Sequence, residues 1–219
     1  MPLAPAPTTT TVRLFGDQLT LDCPPNQKPT ADALWLAALV PPLSPDGVVF
    51  EAGLGTGVVS LTLLRRQPQL TAYGVDCQAV LVNLAHHNTQ QNHWAAGRLH
   101  AHHGQVEDAP FASLPQANCS LANLPFYPPH HGSLTQQPLR AAAWGLGDTP
   151  LNAWLTCLNH HTKPGGTMLA LGHRDQAAGI LAHWGRQVTA IIWLTSHPIR
   201  PPKRVVIIAQ RGADCPTPH

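Results

Sequence analysis

The segment from residue 53 to 57 constrains the fold of this chain more than any other, because it places three glycines at every second position. The apolar residues Val48 to Phe50 before it predict a buried parallel strand, since they lack the alternation of a half-exposed strand. The residues after it, from 58 to 66, predict a helix. A strand-to-helix turn needs glycine where the backbone turns sharply, where a ligand approaches it and where the helix packs on the sheet. The segment therefore predicts a strand–loop–helix unit of an α/β fold, with a ligand at the loop.

An acid at the end of the next predicted strand agrees with this interpretation. Asp76 lies 19 residues after Gly57 and follows a second apolar run at residues 70–75. In doubly wound folds, an acid about 20 residues after the glycines accepts hydrogen bonds from ribose hydroxyls. Asp76 is therefore a candidate nucleoside-binding residue.

Three interpretations of the glycine segment were weighed against each other. The dinucleotide pattern G-x-G-x-x-G fits residues 55–60, except that Ser60 stands in the last position. The pattern acid-x-G-x-G-x-G is complete from Glu51 to Gly57, and it resembles the S-adenosylmethionine loop of class I methyltransferases. A glycine-rich turn without a ligand is the weakest interpretation, because the acid before the glycines and Asp76 after them both belong to the ligand-binding pattern.

Composition excludes several function classes. With 11% charged residues and a net charge of +2, the chain has no broad electrostatic footprint for nucleic acid, so any such contact must be local. The five cysteines are scattered and form no C-x-x-C, which argues against a zinc ribbon or a disulfide framework. Several of the 14 histidines occur as doublets, whose side chains diverge, and we therefore expect no metal site. We also expect a cytoplasmic protein, because neither a signal peptide nor a membrane span of ~18 apolar residues is visible.

The order of the predicted elements indicates one domain. We expect a disordered tail at residues 1–10, a single domain at 11–212 that begins with a lid and helix at 11–40, and a tail at 213–219. Short alternations at residues 11–29 predict a small hairpin or lid, and Thr30 to Asp32 should cap a helix at 33–40. Further along, we expect a helix at about 79–91, a fourth strand at about 119–122, and a turn at 161–166 that leads into a strand at 167–172. Strands and helices alternate to about residue 183, after which two strands, Val188 to Leu194 and Arg204 to Ala209, follow each other directly. Parallel neighbours need a longer crossover, so the last strand should be antiparallel. This layout resembles the class I methyltransferase fold, which is Rossmann-like α/β with a mostly parallel seven-stranded sheet and an antiparallel last strand.

A second motif lies at the end of the predicted fourth strand. Residues 123–129 read Asn-Leu-Pro-Phe-Tyr-Pro-Pro and should face the same crevice as the glycine loop, since ligands bind at the carboxyl ends of parallel strands. The segment resembles the N-P-P-Y signature of methyltransferases that act on a planar, conjugated NH2 group. Leu124 replaces the first proline and Phe126 replaces the tyrosine. The amide oxygen of Asn123 and the carbonyl of Leu124 would accept the two N–H bonds and aim the nitrogen lone pair at the methyl group, while Phe126 stacks on the substrate.

The resemblance extends along nearly the whole chain, from residue 13 to 212. The ordered motifs resemble those of the bacterial tRNA(Val) adenine-N6-methyltransferase family. They comprise Asp17-Gln18, Lys28 to Ala38, Asn123 to Pro129, Arg140 to Ala143, Lys163 to Gly166, His173-Arg174, Lys203 to Val205 and Arg211-Gly212. The family resemblance implies S-adenosylmethionine as cofactor and RNA, with tRNA as the best candidate, as substrate.

The same resemblance assigns roles residue by residue. The cofactor would be bound by Thr30, Asp32, Glu51, Gly53, Gly55, Gly57, Asp76, Cys77, Gln105 and Asn123. The target amine would be held by Asn123, Leu124, Pro125 and Phe126. Tyr127 would lie on the substrate side, and a local phosphate-binding rim near the crevice could be formed by Arg140, Arg174, Arg200, Lys203 and Arg204. For these basic residues, scattered solvated charges are an equally good interpretation. For Asp32, capping the following helix is an equally good interpretation.

Three alternative functions remain open at this point. The first is methylation of a protein glutamine amide, although consecutive aromatic residues and a basic final hairpin favour a base. The second is a cofactor-binding protein with little or no catalysis, which Leu124 and Gln105 would explain because both depart from the family pattern. A nucleotide-dependent oxidoreductase is disfavoured by Val58 and by the lack of a dyad for hydride chemistry. The motifs specify neither the modified position nor the oligomeric state.

Overall fold

The structure is a computed structural model that describes residues 9–107, 113–125, 149–195 and 199–214. Within these ranges the chain forms nine strands and five α-helices, numbered below in chain order. The strands form a two-stranded hairpin and a seven-stranded sheet. Among the described helices, none has the length and apolar character needed to cross a membrane.

The N-terminal part is a hairpin followed by a helix, as the alternating residues predicted. Strands β1 (Thr10–Leu14) and β2 (Leu19–Cys23) are antiparallel, and helix α1 spans Ala31–Leu39. β1 begins at Thr10, which was expected to be the last residue of the disordered tail. The backbone N–H of Asp22 in β2 donates to the side-chain oxygen of Asn88 in helix α3, described below, and that of Thr20 donates to Asn92, the residue directly after this helix. The hairpin is therefore attached to the main domain by partly buried polar contacts.

The main sheet has the predicted mixed topology. Its strands are β3 (Val48–Ala52), β4 (Thr71–Asp76), β5 (Leu99–His103), β6 (Ala117–Asn123), β7 (Thr162–His173), β8 (Val188–Leu194) and β9 (Arg204–Gln210). Their order is β5-β4-β3-β6-β7-β9-β8. The first five are parallel to one another, and β9 runs antiparallel to both β7 and β8. The last strand is therefore antiparallel, as expected, and lies inside the sheet rather than at its edge.

Helices cover both faces of this sheet. The remaining helices are α2 (Val58–Arg66), α3 (Ala79–Gln91), α4 (Leu151–His161) and α5 (Ala177–Trp184). Buried residues of α1, α2 and α3 share one apolar core with alternate residues of the sheet, and those of α4 and α5 share the other. Val49 of β3 belongs to the first core and the adjacent Phe50 to the second, as expected for a strand buried on both faces.

Two local predictions differ from the structure. The Lys-Pro-Gly-Gly segment at 163–166 was expected to be a turn before a strand at 167–172, but β7 already begins at Thr162. Gly165 has a φ of 75°, and the register of β6 against β7 shifts between Ala117 and Cys119, so the strand absorbs the turn as an irregularity. Helix α1 follows Thr30 as predicted, but the Thr30 side chain makes no capping hydrogen bond.

Candidate active site

The glycine loop has the backbone conformation that its sequence requires. Gly53, Gly55 and Gly57 have φ values of 75°, 56° and 83°, in the left-handed region that other residues rarely adopt. The N–H groups of Gly53 and Leu54 both donate to the carbonyl of Val75, at 2.9 and 2.8 Å. These two bonds hold the loop against the end of β4.

The three glycines serve different purposes. A Cβ on Gly53 would lie 2.9 Å from Cζ3 of Trp154, and one on Gly57 would lie 3.2 Å from Cδ2 of Leu99. No atom lies within 4 Å of the Cβ position of Gly55, which lines the cavity described below. Gly53 and Gly57 therefore permit close packing, whereas Gly55 leaves space for a ligand.

Asp76 connects the loop to the following helix. Its Oδ2 accepts a hydrogen bond from the N–H of Gly55 at 2.8 Å, and its Oδ1 accepts one from the N–H of Gln78 at 2.9 Å. Burial raises the pKa of this carboxyl, and the two backbone donors oppose the rise. A carboxylate has about four acceptor positions, so Asp76 can still accept from two ligand hydroxyls.

Glu51 lies below the loop and is almost completely buried. Its Oε2 accepts hydrogen bonds from the Oγ and the backbone N–H of Ser60, at 2.5 and 3.1 Å. Burial is the main cause that raises the pKa of Glu51 to about 8, so the carboxyl is largely protonated at neutral pH. Its contacts in the structure secure the first turn of α2.

A cavity of about 1150 Å³ opens between the glycine loop, the carboxyl ends of the strands and the N-terminal segment. Most of the predicted site residues within the described ranges line it. They are Thr30, Asp32, Glu51, Gly53, Gly55, Asp76, Cys77, Gln105, Asn123, Leu124, Pro125 and Arg204. Gly57, Arg200 and Lys203 do not line it. Phe126, Tyr127 and Arg140 lie outside the described residues.

The N-terminal segment closes one side of the cavity through an ion pair. Arg204 Nε lies 3.0 Å from Asp32 Oδ2, and both side chains are mostly buried. This pair joins the start of α1 to the start of β9. Arg204, predicted to lie on an RNA-binding rim, instead stands in the cavity wall with its charge matched by Asp32.

The end of β6 is held in place by the end of β7. The N–H of Leu124 donates to the carbonyl of Leu171 at 2.8 Å. Gln176 Nε2 donates to the carbonyl of Pro125 at 2.9 Å, while Gln176 Oε1 accepts from the N–H of His173 at 2.7 Å. Asn123 Oδ1 is buried and has no hydrogen-bond partner among the described residues. The cavity therefore contains a hydrogen-bond acceptor that lacks a donor within the described residues, and the backbone next to it is held by Leu171 and Gln176.

Sequence analysis missed one aromatic residue of the cavity. Trp154 of α4 lines the cavity, contacts Gly53 and carries a buried Nε1 that has no partner in the described part of the chain. It lies 101 residues after Gly53 and outside every motif, so no sequence signal marks it. The described ranges contain no group of three or more His, Cys, Asp or Glu side chains that could hold a metal ion.

Comparisons with known proteins identify the fold. No protein-family model matches the chain, and no curated protein does. A predicted O-methyltransferase from Agrobacterium tumefaciens is 18% identical, with 84% of this chain and 82% of that one covered and a TM-score of 0.66. The Thermus thermophilus 16S rRNA N2 methyltransferase RsmC, solved with AdoMet and guanosine, is 19% identical, with a TM-score of 0.65.

A third similar structure is a putative class I S-adenosylmethionine-dependent methyltransferase from Listeria monocytogenes. It is 14% identical, the similarity covers 90% of this chain and 66% of that one, and the TM-score is 0.62. For RsmC, the similarity covers 96% of this chain but only 52% of that one, so this chain spans about half of RsmC. At these identities the similarity shows the fold alone. The chain has the Rossmann-like class I methyltransferase fold, which confirms the predicted fold class.

Proposed function

We propose that the protein is an S-adenosylmethionine-dependent methyltransferase that acts on an exocyclic amino group of a base in RNA, with adenine N6 in tRNA as the best candidate. One observation carries this proposal. The buried Asn123 Oδ1 has no partner among the described residues, and Asn123 lines the cavity that Gly55 and Asp76 also line. An orphaned acceptor in that position suits a substrate that brings an N–H donor.

The cavity has groups that fit the proposed cofactor. Gly55 leaves open space at the loop, and Asp76 retains acceptor positions for two ribose hydroxyls. Cys77 and Gln105 line the cavity next to Asp76 and suit the adenine end. Thr30 and Asp32 would close the methionine end. S-Adenosylmethionine, when bound, supplies a methyl group on a positively charged sulfur.

The residues at the substrate end orient the amine rather than remove its proton. A conjugated NH2 group is a poor nucleophile, because its lone pair is delocalised into the ring or carbonyl. Hydrogen bonds to Asn123 Oδ1 and to the carbonyl of Leu124 would localise the lone pair and direct it toward the methyl group. The bond from the Leu124 N–H to Leu171 and the bond from Gln176 to the Pro125 carbonyl hold the backbone from which both acceptors project. The proton leaves the nitrogen only after methyl transfer, so no strong base is needed.

RNA is preferred to protein as the substrate for two reasons. RsmC, which has the same fold, acts on the N2 position of rRNA and was solved with guanosine, so an exocyclic base amine suits this architecture. The C-terminal part of the chain is also rich in basic residues. Methylation of a glutamine amide uses the same two acceptors and is distinguished by experiment.

The cofactor is tested by calorimetric titration with S-adenosylhomocysteine. We expect micromolar binding by the wild type and loss of binding by Asp76→Ala. If the folded wild type does not bind, the methyltransferase proposal fails.

The substrate is tested with methyl-labelled cofactor on bulk tRNA and on total protein. We expect label in tRNA as N6-methyladenine. Asn123→Ala should bind S-adenosylhomocysteine normally but transfer about 10²–10³-fold more slowly, as when a single preorganised hydrogen-bonding group is removed from an active site. Label in protein glutamine would identify the amide alternative. Binding without transfer to either pool would identify the non-catalytic alternative.

A further inference from the structure

The charges of this chain are distributed unevenly along the sequence. From residue 176 to 213 there is no Asp or Glu, but there are five basic residues: Arg186, Arg200, Lys203, Arg204 and Arg211. The chain has 13 basic and 11 acidic residues in total, so the remainder contains eight basic and 11 acidic residues and is net negative. Arg186 pairs with Asp214 and Arg204 with Asp32, and the remaining three cations have no acidic group within 4 Å in the described ranges. This local excess of positive charge on an otherwise acidic chain points to a localised anionic partner.

The final hairpin places part of this segment at the same end of the sheet as the active site. β8 pairs with β9, and β9 with β7, antiparallel in both cases, so β8 runs parallel to β7 and β6. The carboxyl end of β8 therefore lies at the same sheet edge as Asn123. Three strand spacings separate β6 from β8, which corresponds to about 14 Å.

Aromatic and cationic side chains are exposed together at this end. Trp193, the second-last residue of β8, is 50% exposed, and Ile199 is 86% exposed. Within the described ranges, Arg200 and Lys203 have no acidic group within 4 Å. The carbonyl of Lys203 accepts from the N–H of Arg174, so the residues after β7 lie beside the hairpin.

The two other exposed aromatic residues in the described part of the chain differ from Trp193. Phe15 has the Arg65 guanidinium 4.9 Å above its ring centroid, and Trp94 has that of Arg98 at 5.9 Å. These rings are covered by the protein's own cations. No cation of the described residues lies over the ring of Trp193. With half of its surface exposed, Trp193 therefore offers accessible surface to a planar partner.

We propose that the final hairpin binds the single-stranded RNA segment next to the target base, with one base stacked on Trp193 and the adjacent phosphates bound by Arg200 and Lys203. This proposal rests on the proposed function. An exposed aromatic ring at the same end of the hairpin as two cations that lack an acidic neighbour in the described ranges fits RNA better than a protein partner, because bases supply flat faces and phosphates supply the matching charge. The ends of β6 and β8 are about 14 Å apart, so a few nucleotides could connect a target base at Asn123 with a base stacked on Trp193. The hairpin would therefore select RNA whose target base lies in an unpaired loop.

The test uses fluorescence anisotropy with a labelled, unstructured oligoribonucleotide of about 12 nucleotides, within the site size of single-strand binders. Titrations are made in the presence of S-adenosylhomocysteine. Trp193→Ala should weaken binding about 5- to 150-fold, the loss expected for one stacked base. Trp193→Phe should restore most of the affinity. Trp94→Ala, the matched control at the other end of the molecule, should bind like the wild type.

The phosphate contacts are tested through the salt dependence of the same titration. An Arg200→Ala/Lys203→Ala double variant should reduce the slope of log affinity against log salt by about 1.4, since each single-strand phosphate contact contributes about 0.7. An unchanged slope, or equal losses in Trp193→Ala and Trp94→Ala, would overturn the proposal. A change of oligomeric state in Trp193→Ala, seen by light scattering, would overturn it in favour of a second copy of the chain.

The two levels of the proposal fail separately. If the wild type binds S-adenosylhomocysteine but not the oligonucleotide, the RNA surface is wrong and the cofactor assignment stands. If it binds the oligonucleotide but not S-adenosylhomocysteine, the methyltransferase assignment is wrong and the RNA surface stands.

Discussion

Gly55 and Gly97 allow the ligand-binding role of the glycine loop to be separated from its backbone strain. Both residues have positive φ, 56° and 73°, and neither has an atom within 4 Å of its Cβ position. An alanine at either site therefore causes the same kind of strain without a steric clash. Gly55 lines the cavity, whereas Gly97 lies in the turn before β5 and does not.

We expect equal stability losses but unequal binding losses. Left-handed alanine costs about 1–2 kcal/mol. For a domain of this size, that cost corresponds to a decrease in Tm of about 2–8 °C in both Gly55→Ala and Gly97→Ala. The new methyl group of Gly55→Ala also occupies ligand space, and such overpacking costs about 1–3 kcal/mol, or about 5- to 150-fold in affinity.

The assay pairs thermal unfolding with calorimetric titration of S-adenosylhomocysteine for the wild type and the two variants. Gly97→Ala should retain wild-type affinity despite its lower Tm. The reasoning is refuted if Gly55→Ala binds as tightly as the wild type, or if Gly97→Ala loses as much affinity as Gly55→Ala.

Three further predictions concern the groups around the cavity. Because the Glu51 pKa is raised from 4.5 to about 8 in the folded state, the free energy of unfolding should fall as pH rises between these values, by up to about 1.4 kcal/mol per pH unit. In urea unfolding, Glu51→Gln should show a weaker dependence of stability on pH than the wild type. Gln176→Leu should lower kcat about 10- to 100-fold with unchanged S-adenosylhomocysteine affinity, because it removes the hydrogen bond that holds the Pro125 carbonyl. An equal fall in affinity would show that Gln176 does not act by positioning the substrate end of the site. Asp32→Asn and Arg204→Met should be non-additive by more than about 0.5 kcal/mol in a double-mutant unfolding cycle, and additive losses would show that the ion pair is energetically unimportant.

Much of the fold could be predicted because its signals are local. The predicted helix from Ala79 to Gln91 and the strand from Val188 to Leu194 coincide with α3 and β8, whose apolar residues follow the period of each element. Asp76 ends β4 as expected, because the acid follows an apolar run that must be buried. The antiparallel last strand followed from a connection too short for a crossover.

The parts that could not be predicted depend on contacts between distant segments. Asp32 and Arg204 are 172 residues apart in the chain, and nothing in either neighbourhood indicates the other. The same holds for Gly53 and Trp154, whose contact explains why this first glycine is needed. Local pattern also misled at residues 163–166, where the sheet extends a strand through a sequence typical of a turn.

The position of β9 has a consequence for synthesis of the protein. In the described part of the sheet, β8 is an edge strand that pairs with β9 alone, and β9 spans Arg204–Gln210. A nascent chain that has emerged as far as residue 203 therefore carries β7 with one unpaired edge and β8 with no partner at all. Unpaired strands of this kind are prone to aggregate. A premature stop before Arg204 would thus remove an interior strand of the sheet and break the Asp32 ion pair.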